Sequence, residues 1–185
     1  QRAKLFARTA LERARAGNQQ LILIFHFQVR PEQKEYGRGS EFGAASDFAR
    51  FLTSKELSDA RTVAYISQPL QGHAVLVALA CDEIIMAPEA EIGAAGVDEQ
   101  VIEPEMRSTY RLIAEQRRNF PPDAALALLD PALELLEVKT DLSVEYVLSD
   151  RLKQLHQEKR TILGEPRVLA PAGQPARFTG AEARR

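Results

Sequence analysis

Three short runs of apolar, β-branched and aromatic residues, separated by segments of helical spacing, restrict this chain more than any other feature. They are residues 21–25 (LILIF), 61–67 (RTVAYIS) and 83–87 (EIIMA). Each has the length of one strand. Unbroken apolar runs of this kind belong to buried strands of the parallel type. Ahead of the first run, Leu5, Ala7, Leu11 and Ala14 recur among Arg and Lys, which predicts a helix over 3–16 stopped by Gly17-Asn18. Residues 44–53 return to helical spacing, with Phe48, Phe51 and Leu52 on one side. Between the second and third runs, residues 74–81 (AVLVALAC) are all small or apolar, as in a fully buried helix, and Asp82 closes them. Such alternation predicts an α/β domain with right-handed crossovers.

The remaining segments continue the pattern less sharply. A long helix is expected over 105–118, ended before Pro121-Pro122, and another over 123–129. Residues 135–138 and 144–148 are strand candidates. Residues 30–43 form a polar loop carrying Pro31, Gly37, Gly39 and Gly43; residues 69–72 form a turn; Pro88, Gly93 and Gly96 mark another loop. Residues 164–175 read as irregular, and 179–185 read as a helix just beginning.

At 185 residues the chain has room for a single domain. It begins with Gln and ends on that incipient helix, so a domain excised from a longer protein is expected. No apolar run approaches the ~20 residues that a membrane-spanning helix needs. Lys and Arg number 24 against 26 Asp and Glu, so no whole-surface nucleic-acid footprint is expected. Charge is unevenly spread: residues 82–105 hold eight acidic and no basic residues, while 151–185 hold eight basic and three acidic. Solvated surface is the first reading of both stretches, and a polar interface between copies or domains is the second. One cysteine, Cys81, excludes an internal disulfide and a cysteine-rich zinc site; with three histidines, no metal centre is expected. No cofactor is expected either.

Residues 63–66 (VAYI), 72–88 (GHAVLVALACDEIIMAP) and 89–93 (EAEIG) together resemble the central motif of the Clp/crotonase superfamily. There a strand leads through a tight turn into a buried small-residue helix, an "ALACDEI" end, a strand and an "A.IG" loop. Within that superfamily the chain is most similar to membrane-associated serine proteases of the NfeD type, the ClpP class that includes signal-peptide peptidase A. Residues 111–119 (RLIAEQRRN) resemble that family's "IRxLAExRGRN" helix end, one residue shorter. Residues 129–131 (LDP) resemble its "MLDP" turn, and 172–183 (AGQPARFTGAEA) its "AGEPLTLTGxEA" stretch. The resemblance implies a β-β-α spiral and a Ser–Lys dyad. The serine needs an adjacent base, and lysine serves when burial lowers its pKa. Backbone N–H groups of a Gly-rich loop would hold the oxyanion.

The dyad is absent by alignment. The "SAGA" serine falls on Gly72, with His73 and Ala74 after it. The lysine belongs near 101–106, yet no lysine lies between Lys55 and Lys139. The family's "TPGG" oxyanion loop corresponds to Gln28-Val29-Arg30-Pro31 and an insert reaching Gly43.

Substitutes can be named. Ser67, at a strand end, is a candidate nucleophile or a hydroxyl bonded to local backbone. His73 is a candidate base for Ser40 or Ser46, or a helix-end histidine packed on the turn. His26 ends the first strand and faces the same cleft or plays a structural part. His156 lies in a basic segment and is given no role. Asp82 orients a histidine or, more simply, caps the turn into the next strand. Cys81 reads as an inert core thiol. Gly72 with His73 also offers N–H groups of the sort crotonases aim at an acyl-CoA thioester; Leu70-Gln71-Gly72-His73-Ala74 is near their "VNGxAxGGG", and Val97-Asp98-Glu99 faintly echoes their "PE" element.

The leading expectation is a serine-protease-like domain without its dyad, acting as a non-catalytic peptide-binding or assembly module. Its groove would be lined by Gly37, Gly39, Gly43, Ser67, Gly72, His73, Gly93 and Gly96. Peptides would add there as a strand, through backbone hydrogen bonds. A peptide or membrane-protein segment, further copies of the chain and a stomatin-like protein are the partners the resemblance implies. It also implies a membrane-associated parent, with this domain soluble and outside the cytoplasm. The alternatives are a serine hydrolase with a relocated nucleophile and a crotonase-like acyl-CoA enzyme.

Overall fold

The computed structural model describes residues 1–29, 36–152, 154 and 161–183. The helix α1 (Arg2–Ala16) leads into strand β1 (Leu21–Phe27), then α2 (Phe42–Leu52) and β2 (Ala60–Ile66). The buried helix α3 (Ala74–Leu79) is followed by β3 (Glu83–Met86) and β4 (Glu91–Gly93). Next come α4 (Pro104–Arg117), α5 (Pro122–Leu129), β5 (Leu135–Lys139) and β6 (Val144–Leu148). Last are β7 (Arg167–Ala170) and β8 (Arg177–Thr179). The chain is therefore of mixed α/β class.

Strands β1, β2 and β3 form a parallel sheet in that order. β4 pairs antiparallel with β8, and a third sheet runs β6-β5-β7, antiparallel throughout. Helix α3 sits at the centre, packed by α2, α4 and β2. Leu76, Ala78, Leu79, Ala80 and Cys81 are wholly buried there. Small residues let backbone approach from several sides at once, and each fully buried leucine still contributes about 1.5–3 kcal/mol. Both later helices begin at proline, which carries no N–H to leave unpaired in the first turn. Helix α4 stops at Arg118 in the left-handed conformation.

Several expectations need correction. The β1 run is not buried on both faces: Ile22 and Ile24 are 55% and 66% exposed. The parallel sheet is covered on one face only, so an unbroken apolar run alternates between core and solvent. Helix α2 begins at Phe42, inside the expected 30–43 loop. The loop after Pro88 contains β4, and the 164–175 stretch contains β7; both strands are too short to stand out among Gly and Pro. The expected terminal helix is instead β8 followed by a turn, in which the Glu182 carboxylate accepts from the Thr179 N–H and hydroxyl. Residues 184 and 185 lie outside the described residues.

Candidate functional site

The carboxyl end of β2 runs into Pro69 and Leu70, and Leu70 is bridged on both sides. It pairs in parallel with Tyr36 and with Ile92 of β4. Tyr36 donates its N–H to Pro69 O at 2.9 Å, and Gln71 donates to Tyr36 O at 2.8 Å. The backbone then turns sharply at Gly72 with φ +61° and enters α3.

Gly72 is closed in. A Cβ there would run into the carbonyl oxygen of Gly37 and stand 2.8 Å from the Ser40 hydroxyl. Its N–H donates to Ala94 O at 3.2 Å. An engaged N–H does not polarise an acyl group, so the thioester-binding role weighed for Gly72 finds no donor at that atom. Gly37, with φ +96°, packs reciprocally: a Cβ on it would meet the Gln71 carbonyl and lie 2.7 Å from the Ala74 methyl. The turn over residues 37–40, closed by Ser40 N–H to Gly37 O at 3.0 Å, therefore fills the space in front of α3. Ser40 Oγ accepts the Ala74 N–H at 3.1 Å. Gly39 donates its N–H to Asp98 Oδ2 at 2.6 Å.

His73 is 1% exposed, its ring held at both nitrogens. Nε2 lies 2.9 Å from Glu99 Oε1, and Nδ1 lies 3.1 Å from the Tyr110 hydroxyl. In the tautomer with the proton on Nε2, that N–H donates to Glu99 and Nδ1 accepts the Tyr110 O–H. Burial pushes the Tyr110 hydroxyl well above its ordinary value, which keeps it a donor. The Phe42 ring closes the pocket edge-on, 5.2 Å from the imidazole centroid. Both ring nitrogens thus bond Glu99 and Tyr110, and neither bonds Ser40 or Ser46, the serines for which His73 is the candidate base. Ser46 itself is buried in α2.

The other candidates are distributed around this centre. Gly93 and Gly96 are packed against Arg177 and Ile102, and Gly43 opens onto free space in the first turn of α2. Ser67, just past β2, and His26, near the end of β1, meet one another: Ser67 Oγ lies 2.9 Å from His26 Nε2. The His26 ring also lies over Tyr65, with centroids 4.8 Å apart. Among the described residues no carboxylate hydrogen-bonds the His26 ring. His156 lies outside the described residues.

Asp82 is expected to cap the turn into the next strand; its carboxylate instead ties that turn to β2 and α4. Its Oδ2 accepts the Thr62 N–H and hydroxyl, both at 2.7 Å, and its Oδ1 pairs with Arg117. Arg117 also donates to Ala80 O at 2.7 Å and to Leu52 O at 2.5 Å. Asn119 Nδ2 adds a bond to Cys81 O at 2.7 Å. Two stretches singled out in the sequence, 78–83 and 111–119, thereby clasp one another. The Cys81 thiol is buried and pushed up to about 12 by desolvation, the state of an unreactive core cysteine. The 129–131 turn is held by Asp130, which accepts from Arg107 at 2.6 Å and from the Ala132 N–H at 3.0 Å.

Tyr110 escaped the sequence reading, and Glu99 entered it only in the Val97-Asp98-Glu99 echo of a crotonase element, because 37 and 26 positions separate them from His73. No protein-family model, curated protein or solved structure matches this chain.

Proposed function

We propose that this chain is a ClpP/crotonase-type β-β-α spiral domain of the NfeD class that has lost its Ser–Lys dyad and works by binding. It holds an extended peptide or membrane-protein segment, or assembles with its own copies. A stomatin-like partner and a membrane-associated parent acting outside the cytoplasm belong to the same reading. The observation that carries the loss of catalysis is the closure of Gly72. The nucleophile's position has no side chain, no room for one beside the Gly37 carbonyl and Ser40, and an N–H already engaged by Ala94 O. What remains is backbone pairing: both flanks of the Leu70 segment are taken, by Tyr36 and by Ile92, so a peptide adding there as a strand would take the place of Tyr36. The test is labelling with a fluorophosphonate serine probe beside an active NfeD-type control, with any modified residue mapped by mass spectrometry. No labelling of this chain, with the control labelled, is expected; labelling of one serine overturns the reading.

A second reading has one specific observation behind it. Ser67 and His26 stand at the carboxyl ends of adjacent parallel strands, where open α/β sheets bind ligands. Their 2.9 Å contact is that of a nucleophile and its base. Labelling mapped to Ser67 and abolished by His26→Ala would replace the binding reading with a relocated hydrolase.

A further inference from the structure

A cleft of about 250 Å³ opens between the α4–α5 corner, β8 and the β6-β5-β7 sheet. Its walls combine aromatic and aliphatic side chains with the polar Asn119, Glu137, Arg167, Arg177 and Glu182. Phe120 and Phe178 lie 6.3 Å apart at the ring centroids, and Tyr146, Leu135 and Leu169 close the other side. An apolar cavity with a few polar groups at one edge is the ordinary form of a small-molecule site.

The polar groups at this edge are in two conditions. Arg177 is paired with Glu91 at 3.6 Å, and Glu182 caps Thr179. The side chains of Arg167 and Glu137, by contrast, make no hydrogen bond or ion pair among the described residues. They nonetheless stand directly opposite one another across β5 and β7, and Tyr146 stands opposite Glu137 on the other flank. The row Tyr146–Glu137–Arg167 thus presents an aromatic face, an anion and a cation side by side. At the floor, Asn119 Oδ1 is a buried acceptor without a donor.

We propose that this cleft binds a free α-amino acid with a large apolar side chain. Its ammonium would sit on Glu137 beside the Tyr146 ring, its carboxylate on Arg167, and its side chain between Phe120 and Phe178. The charge geometry carries the argument. The ammonium and carboxylate of an amino acid hang from one carbon, so their receptors must be neighbours of opposite sign. Directly opposite residues of an antiparallel pair, with Cβ atoms about 4.5–5.5 Å apart, meet that condition. A cation beside Tyr146 gains further from the ring face, and Arg presents a fork suited to a carboxylate. The inference is independent of any protease resemblance, since no residue of the Gly72 region lines the cleft.

The experiment is isothermal titration of the purified 185-residue chain with L-phenylalanine, glycine, 3-phenylpropanoate and phenethylamine, repeated on Arg167→Gln and Glu137→Gln. L-Phenylalanine is expected to bind at least tenfold tighter than the other three. Each substitution is expected to weaken it at least tenfold, while Arg167→Gln leaves phenethylamine unchanged and Glu137→Gln leaves phenylpropanoate unchanged. Circular dichroism identical to the parent shows that both variants fold; they replace side chains at the cleft edge without changing packing volume greatly. No heat with L-phenylalanine at millimolar concentration, equal binding of the one-charge analogues or of glycine, or indifference to both substitutions would overturn the proposal.

Discussion

Arg117, in the last turn of α4, donates its Nε–H to the carbonyl oxygen of Ala80 at 2.7 Å. The same guanidinium reaches Leu52 O and the Asp82 carboxylate. One half-buried side chain therefore joins the C-termini of α2 and α3 to the start of β3. Carbonyls at helix ends have no intrahelical partner, and a planar fork of donors is suited to collecting several at once.

Arg117→Ala should be among the most damaging single substitutions in the chain. It takes the guanidinium from two carbonyls and leaves the Asp82 carboxylate held by Thr62 alone in a partly buried site, a loss on the order of 3 kcal/mol. For a chain of this length that corresponds to a fall in Tm of roughly 6–12 °C. Arg117→Lys keeps the charge but not the fork and should fall between the two. Thermal unfolding followed by circular dichroism measures all three; a melting point for Arg117→Ala within a degree of the parent would show the clasp to be dispensable.

Gly72→Ser should lower stability without creating a protease. The position has φ +61° and faces the Gly37 carbonyl, so a side chain costs about 1–3 kcal/mol in strain and displaced turn. No lysine lies between Lys55 and Lys139 to activate the new hydroxyl. Urea unfolding and fluorophosphonate labelling of the variant test both halves. Robust labelling at residue 72 would reveal a base elsewhere in the fold.

Stability should decline in alkali through Cys81 and Tyr110. Desolvation raises both groups in the folded state, Cys81 to about 12 and Tyr110 above its ordinary value. Below their ordinary values, near pH 9 for the thiol and 10 for the phenol, folded and unfolded chains are both protonated and the stability is complete. Above those values the unfolded chain releases protons that the folded one retains, so stability falls with pH, by up to about 1.4 kcal/mol per pH unit for each group. Urea midpoints from pH 8 upward should show the decline, and Cys81→Ala should flatten its first part. A flat profile across that range would contradict the burial of both groups.

The open face of the parallel sheet should tolerate charge. Ile24 is 66% exposed and Ile22 is 55% exposed, with Ile85 and Tyr65 on the same face. Ile24→Lys should change unfolding stability by no more than about 0.5 kcal/mol. A loss of several kcal/mol in dilute solution would mean that the face is covered in the folded chain.

Much of this architecture was legible without coordinates. The spacing of residues 3–16, 44–53, 105–118 and 123–129 located four helices to within two residues, since helical periodicity is a local property of an amphipathic face. The small and apolar 74–81 run announced a buried helix, two residues longer than the observed Ala74–Leu79, and Asp82 announced the turn that closes it. What escaped was whatever depended on a partner distant in the chain. Strands β4 and β7 are three and four residues long and exist because β8 and β5 lie beside them. The exposure of Ile22 and Ile24 follows from which face of the sheet received helices, a choice no run of isoleucines records.

The same division holds for the site. Sequence alone determined that no serine stands at the head of α3 and that no lysine lies within reach along α4, because those are questions of residue identity. Only the tertiary structure decided what became of the space: that the 37–40 turn fills it, that His73 is bound by Glu99 and Tyr110, and that Ser67 turns to His26. Those outcomes depend on side chains 26 to 41 positions apart meeting at hydrogen-bond distance. Contacts of that range are set by packing of the whole core rather than by any local pattern.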